Sequence, residues 1–186
     1  MENKKVLLGM SGGVDSSVSA LLLKENGYEP IGMTLELFAG SSCCNINTYI
    51  DAKNVCKSIG IPHFTYDCKE QFRKHVIQDF IECYANCKTP NPCIECNKYM
   101  KFGYMWEKAK ELDCNYIATG HYAKTEYSEK YGRWVLKIKS RKKRPKLCIM
   151  EYSKRINRTC IIPTCRLWRQ RANKRNSKEK QFKSGK

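Results

Sequence analysis

The stretch Val6-Leu7-Leu8-Gly9-Met10-Ser11-Gly12-Gly13-Val14-Asp15-Ser16-Ser17 decides the fold. Its first three residues form a short apolar run. Beyond it Val18, Leu21, Leu22 and Leu23 recur at helical spacing until Gly27 stops the helix. Two glycines permit positive φ and remove side chains, so successive backbone amides can converge on an anion. The following helix adds its unpaired N–H groups and the positive end of its dipole. Ser11, Ser16 and Ser17 offer hydroxyl donors, and Asp15 could hold Mg2+ or cap the helix. The same residues also fit a plain strand-to-helix turn capped by Asp15 or Ser16. No Gly-Lys-Ser/Thr follows, which disfavours a Walker A loop, and the dinucleotide glycine spacing is absent.

Working outward, strands are expected at 31–35, 64–66 and 116–119, with helices over 48–59, 70–84 and 99–112. Strands alternating with helices of this length predict an α/β fold, a doubly wound, mostly parallel sheet with helices on both faces. Ligands on such sheets sit at the carboxyl ends of the strands, where the glycine turn lies.

Charge divides the 186 residues in two. Positions 141–186 hold 17 of the 35 Lys and Arg residues but only 2 of the 18 Asp and Glu residues, leaving 1–140 nearly neutral. A domain over 1–140 followed by a chemically different basic tail over 141–186 is therefore expected. No apolar run is long enough to span a membrane, and the start Met1-Glu2-Asn3-Lys4-Lys5 is unlike a secretory signal, which predicts a cytoplasmic location. In that setting the twelve cysteines read as reduced thiols, catalytic thiols or metal ligands.

Thr89-Pro90-Asn91-Pro92-Cys93-Ile94-Glu95-Cys96-Asn97-Lys98 is the second informative segment. Its prolines argue against helix up to Pro92, and a helix start near Asn97 would leave Cys96 at a helix N-terminus with Lys98 and Lys101 nearby. That position favours a thiolate, the species that accepts and hands on sulfur. Alternatively Cys93 and Cys96 are half of a zinc or iron–sulfur site completed by Cys43 and Cys44, or they are inert.

The Ser11–Ser16 pattern S-G-G-x-D-S resembles the pyrophosphate loop of N-type ATP pyrophosphatases, whose fold is of the adenine-nucleotide alpha hydrolase kind. Together with the T-P-N-P-x-x-x-C-N-x-x-x-K-F block and Ala118-Thr119-Gly120-His121-Tyr122, it resembles the bacterial tRNA-specific 2-thiouridylase family over about residues 4–139. Many members have Asp where this chain has Cys93. The resemblance implies that Gly9, Met10, Ser11, Gly12, Gly13, Val14, Asp15 and Ser16 hold ATP phosphates with Mg2+. It also implies that Met33 and Gly120 line the adenosine site, and that Asn91, Pro92 and Cys93 lie beside the target base of a tRNA. Cys96 would carry a persulfide supplied by a donor protein. The wobble uridine would be adenylated and its C2 oxygen replaced by that sulfur. His121 either contacts a phosphate or is satisfied by backbone partners, and His63 and His75 are assigned no role. Two other readings remain open: a different adenylating enzyme of the pyrophosphatase group, and a non-catalytic cysteine-rich metal- or RNA-binding protein.

The tail reads in two ways, as an arginine-rich RNA-binding arm or as an out-of-frame translation. It carries Ile161-Ile162, Leu167-Trp168 and three cysteines without helical or strand period. Read one nucleotide later, the Met150–Glu151 junction is forced to TGG, and permitted codons for the residues before it give K-D-Q-S-Y-V-L-W. That block resembles the tRNA-contacting segment following the family core, and GAA or GAC codons slipped by one base become AGA, arginine. A slip near Lys142 and Lys143 is therefore expected. The tail would then be disordered, and the chain would lack the family's second cysteine, which resolves the persulfide through a disulfide.

Overall fold

The computed structural model describes residues 4–37, 46–121, 124–137 and 160–161. The chain opens with β1 (Lys5–Gly9), α1 (Val14–Glu25), β2 (Glu29–Glu36), α2 (Ile46–Ile59) and β3 (His63–Asp67). A helical run follows, made of α3 (Lys69–Phe72), a π-helical stretch Arg73–Ile77 and α4 (Gln78–Ala85). A second run joins α5 (Pro92–Glu95), a π-helical stretch Cys96–Tyr104 and α6 (Met105–Glu111), leading into β4 (Tyr116–Ala118). β5 (Lys124–Ser128) and β6 (Arg133–Lys137) form an antiparallel hairpin, and β7 (Cys160–Ile161) is a two-residue strand.

The main sheet has the order β3-β2-β1-β4-β7, and every pairing in it is parallel. This is the expected α/β sheet. Val6, Leu7 and Leu8 of the central strand are all fully buried, as a parallel strand covered on both faces requires. Alternation sends Val6 and Leu8 to one face, against Ala20 and Leu23 of α1 and Ala52 and Cys56 of α2. Leu7 faces the other way and meets Phe102, Met105 and Ala109 of the second helical run. Each such side chain stabilises the fold by roughly 1.5–3 kcal/mol relative to exposure.

Gly32 fixes how closely α2 approaches. A Cβ there would come within 2.6 Å of Cys56 Sγ and 3.1 Å of His63 Cδ2. Burial pushes the thiols of Cys56, Cys68 and Cys114 up to about 11, so these three are inert packing residues.

Connections from β1 to β2 and β3 run one way across the sheet, whereas β4 lies on the other side of β1. The strand order thus reverses between β1 and β4, which opens a crevice at their carboxyl ends. Most of the basic tail lies outside the described residues. Its one described segment, Cys160–Ile161, pairs in parallel with β4.

Candidate functional site

The glycine turn occupies the crevice at the carboxyl end of β1. Met10 continues the strand by one residue: its N–H donates to the Met33 carbonyl at 2.7 Å, and its own carbonyl accepts from Thr34 Oγ1 at 2.9 Å. Gly12 then takes φ +68°, the left-handed region that glycine enters without strain. A Cβ on Gly12 would lie 2.9 Å from Asp51 Cβ and 3.0 Å from the Thr48 carbonyl, so the turn is seated directly on α2. Gly13 is extended, at φ −80° and ψ 163°.

Gly13 is also the N-cap of α1 and, as a glycine, brings no capping side chain of its own. α1 begins at Val14, which puts Asp15 and Ser16 inside its first turn and not at the cap position. Ser16 and Ser17 instead direct their hydroxyls back to the Gly13 carbonyl, each at 2.9 Å, and Ser16 Oγ accepts the Ser11 N–H at 3.3 Å. These bonds brace the turn from within. The leading amides of α1 keep the anion-binding character of a helix start, and Val14 and Asp15 are exposed there.

Gly120 meets this helix end from β4. A Cβ on it would come 3.1 Å from the Ser16 nitrogen and 3.2 Å from the Asp15 carbonyl carbon. Gly9 lies below, where a Cβ would touch Met105 Sδ at 3.6 Å. The predicted residues Gly9 to Ser16 and Gly120 are therefore brought together around one helix N-terminus. Met33 lies beneath them, 1% exposed, with its side chain in the core against Leu7 and Phe102.

His121 follows Gly120, and its Nδ1 lies 2.9 Å from Thr119 Oγ1. Burial, with a smaller contribution from the Lys101 charge, lowers its pKa to about 4. It is neutral at physiological pH, with the Thr119 hydroxyl as one partner.

Cys96 sits on the same edge of the sheet. It packs, half-buried, against a cluster of Leu37, Cys68, Val76 and Met100, joined by Tyr49, Tyr66 and Phe72. Leu37 and Cys68 come immediately after the carboxyl ends of β2 and β3. The helical run that carries Cys96 also places the Phe102 ring 6.2 Å from that of His121, which links it to the Gly120 side of the crevice.

The expected helix start near Asn97 is corrected. The helix begins at Pro92, which occupies its first turn, where the absent N–H costs nothing. Cys96 lies in the second turn, so the helix N-terminus does not bear on its thiol. Lys98 pairs with Glu95 Oε2 at 3.9 Å and lies 5.0 Å from the Tyr99 ring centre. Asn91 precedes the helix, and Pro92 and Cys93 lead it. Cys93 is exposed, one turn from Cys96 and on the same side. Cys43 and Cys44 lie outside the described residues. Among the described residues no three metal-binding side chains cluster, and Cys93 with Cys96 supplies two positions of a tetrahedral site. Cys56, Cys68, Cys83, Cys87, Cys93, Cys96 and Cys114 are thiols and not disulfides. No helix among the described residues is long and apolar enough to cross a membrane.

Gly32, Thr34 and His63 also shape the site and escaped sequence reasoning. Their contacts run between strands, and no local motif marks them.

A family model described as the tRNA methyl transferase HUP domain matches residues 4–184. The tRNA-specific 2-thiouridylase of Clostridioides difficile (strain 630) is 49% identical over 142 residues, covering 73% of this chain and 39% of that protein. TRNA-specific 2-thiouridylase 1 of Caldanaerobacter subterraneus subsp. tengcongensis is 46% identical over 144 residues, covering 73% of this chain and 40% of that protein. The chain thus spans about two fifths of the length of these curated relatives. A solved structure described as a predicted subunit of tRNA methyltransferase from Methanocaldococcus jannaschii superposes with a TM-score of 0.48 at 20% identity, covering 87% of this chain and 68% of that one.

Proposed function

Because this chain belongs to the tRNA methyl transferase HUP-domain family, we propose that it is the ATP-binding part of a tRNA-uridine 2-sulfurtransferase. The turn over residues 9–16 binds the phosphates of ATP through amides of Gly12, Gly13, Val14 and Asp15. Gly120 leaves room for the nucleotide at the mouth of the crevice, and the backbone at Met33 borders the adenosine. Asp15, exposed in the first turn of α1, is the residue that would hold Mg2+, which neutralises phosphate charge.

The chemistry has three steps. The C2 oxygen of the wobble uridine attacks the α-phosphorus, the bond to the β-phosphate oxygen breaks, and pyrophosphate leaves. The terminal sulfur of a persulfide on Cys96 then forms a bond to C2 while the C2–O bond breaks and AMP departs. A second thiol closes a disulfide with Cys96 and releases the thiouridine. The persulfide comes from a donor protein, and Asn91, Pro92 and Cys93 border the base. An iron–sulfur or zinc site has no complete ligand set among the described residues.

The observation that carries this reading is a helix start whose N-cap is a glycine under a glycine turn, on the same sheet edge as Cys96. The test is pyrophosphate release from ATP. It should require a uridine-bearing tRNA and fall at least tenfold in Asp15→Asn, a change worth about 1.4 kcal/mol. RNA binding carried wholly by 141–186 and indifferent to ATP would overturn it.

A further inference from the structure

A three-residue hydrogen-bond relay runs from β3 through β2 to the glycine turn. His63 Nε2 lies 2.9 Å from Thr34 Oγ1, and Thr34 Oγ1 lies 2.9 Å from the Met10 carbonyl. A threonine hydroxyl has one proton to give. The Met10 carbonyl can only accept, so that proton is committed to it. His63 must therefore be the donor to Thr34, which fixes its proton on Nε2.

The three groups are placed by the sheet. His63 is the Cα partner of Gly32, so Thr34 is its diagonal neighbour on the same face. Thr34 is 4% exposed, so its hydroxyl has little access to water as a substitute partner. Gly32 lets the ring lie flat on the strand, since a Cβ there would meet His63 Cδ2 at 3.1 Å. The groups facing His63 are the Cys56 thiol, held neutral by burial, and the Lys53 ammonium. Burial and Lys53 both keep the imidazole pKa below its usual value, so the ring donates as a neutral group.

Met10 is the last residue before the turn. With its N–H bound to Met33 and its carbonyl to Thr34, both of its backbone polar groups are tied to β2. We propose that His63 is a positioning residue for nucleotide binding: by donating to Thr34 it commits the threonine proton to Met10 and sets where the glycine turn leaves the sheet. This rests on the reading that the turn binds ATP phosphates.

Three measurements test it on the whole chain. The nitrogen-15 shifts of His63 at pH 8 should show the neutral ring with its proton on Nε2, and a proton on Nδ1 overturns the relay. Amide exchange at Ser11, Gly12 and Gly13 should quicken in Thr34→Val and in His63→Phe; unchanged exchange in Thr34→Val overturns it as well. ATP affinity should fall about fivefold in either variant, the value of one buried hydrogen bond. It should fall no further in the double variant, because the two act in series. His63→Gln, which retains a donor at the place of Nε2, should recover affinity to within twofold; a loss equal to that of His63→Phe refutes the donor role. Failure of the unaltered chain to bind ATP removes the nucleotide reading instead, while tautomer and exchange still decide the relay.

Discussion

Gly12 and Gly13 are adjacent, yet alanine at the two positions should act in opposite ways. At Gly13 the backbone is extended, and an added methyl meets Ser11 Oγ at 3.5 Å, an ordinary contact. Alanine there should change stability by less than about 1 kcal/mol, because the restricted unfolded chain offsets alanine's poorer fit at an N-cap. The methyl nevertheless stands at the mouth of the turn, where a phosphate would approach the amides. ATP affinity should drop at least tenfold, about 1.4 kcal/mol. At Gly12 the left-handed backbone alone costs an alanine roughly 1–2 kcal/mol. Contacts of 2.9 Å and 3.0 Å with Asp51 and Thr48 add an overpacking cost on the order of 1–3 kcal/mol. Gly12→Ala should therefore lose about 3 kcal/mol of stability. Urea unfolding and calorimetric titration with ATP read the two effects separately. A Gly13→Ala chain that binds ATP like the unaltered one would refute the placement of the phosphates. A Gly12→Ala chain as stable as Gly13→Ala would refute the seating of the turn on α2.

Other expectations follow from the same geometry. His121 titrates near 4, below the value of about 6.5 it has when unfolded. The unfolded chain then binds more protons between these values, so this residue's contribution to stability falls as pH drops from 6.5 toward 4. His121→Phe should flatten that part of a stability–pH profile, and an unchanged slope would contradict it. Cys96→Ser in a complete, frame-restored enzyme should abolish thiouridine formation while ATP affinity stays within about twofold, since a serine holds no persulfide. Mass spectrometry of digested tRNA reads the first quantity, and residual thiouridine would exclude Cys96 as sulfur carrier. Resequencing the gene around Lys142 and Lys143 should reveal a one-base slip, and restoring the frame should confer tRNA thiolation. An intact frame encoding the tail as printed would refute the slip.

Much of the fold was legible because its signals are local. The apolar run at 6–8, the glycine turn and the helical spacing of Leu22 and Leu23 lie within one unit of chain, and strand–helix alternation then implied the parallel sheet. The helix start at Pro92 is less legible, because a proline blocks a helix from its interior yet starts one from the first turn, and the local sequence does not distinguish the two. The two π-helical stretches, Arg73–Ile77 and Cys96–Tyr104, leave no mark in a periodicity of 3.6. The seating of Gly12 on α2, the close pass of Gly120 over Ser16 and the relay from His63 to Met10 depend on residues 24 to 104 positions apart. Such contacts are set by the order of strands in the sheet, which no single stretch encodes.

The most direct measurement is a crystal structure of the chain with a non-hydrolysable ATP analogue. The phosphates should lie against the amides of residues 12–15, with the nucleotide passing Gly120 and the Cys96 thiol opening onto the same crevice. An analogue bound elsewhere, or a Cys96 walled off from the α-phosphate by the helical run that carries it, would contradict the account.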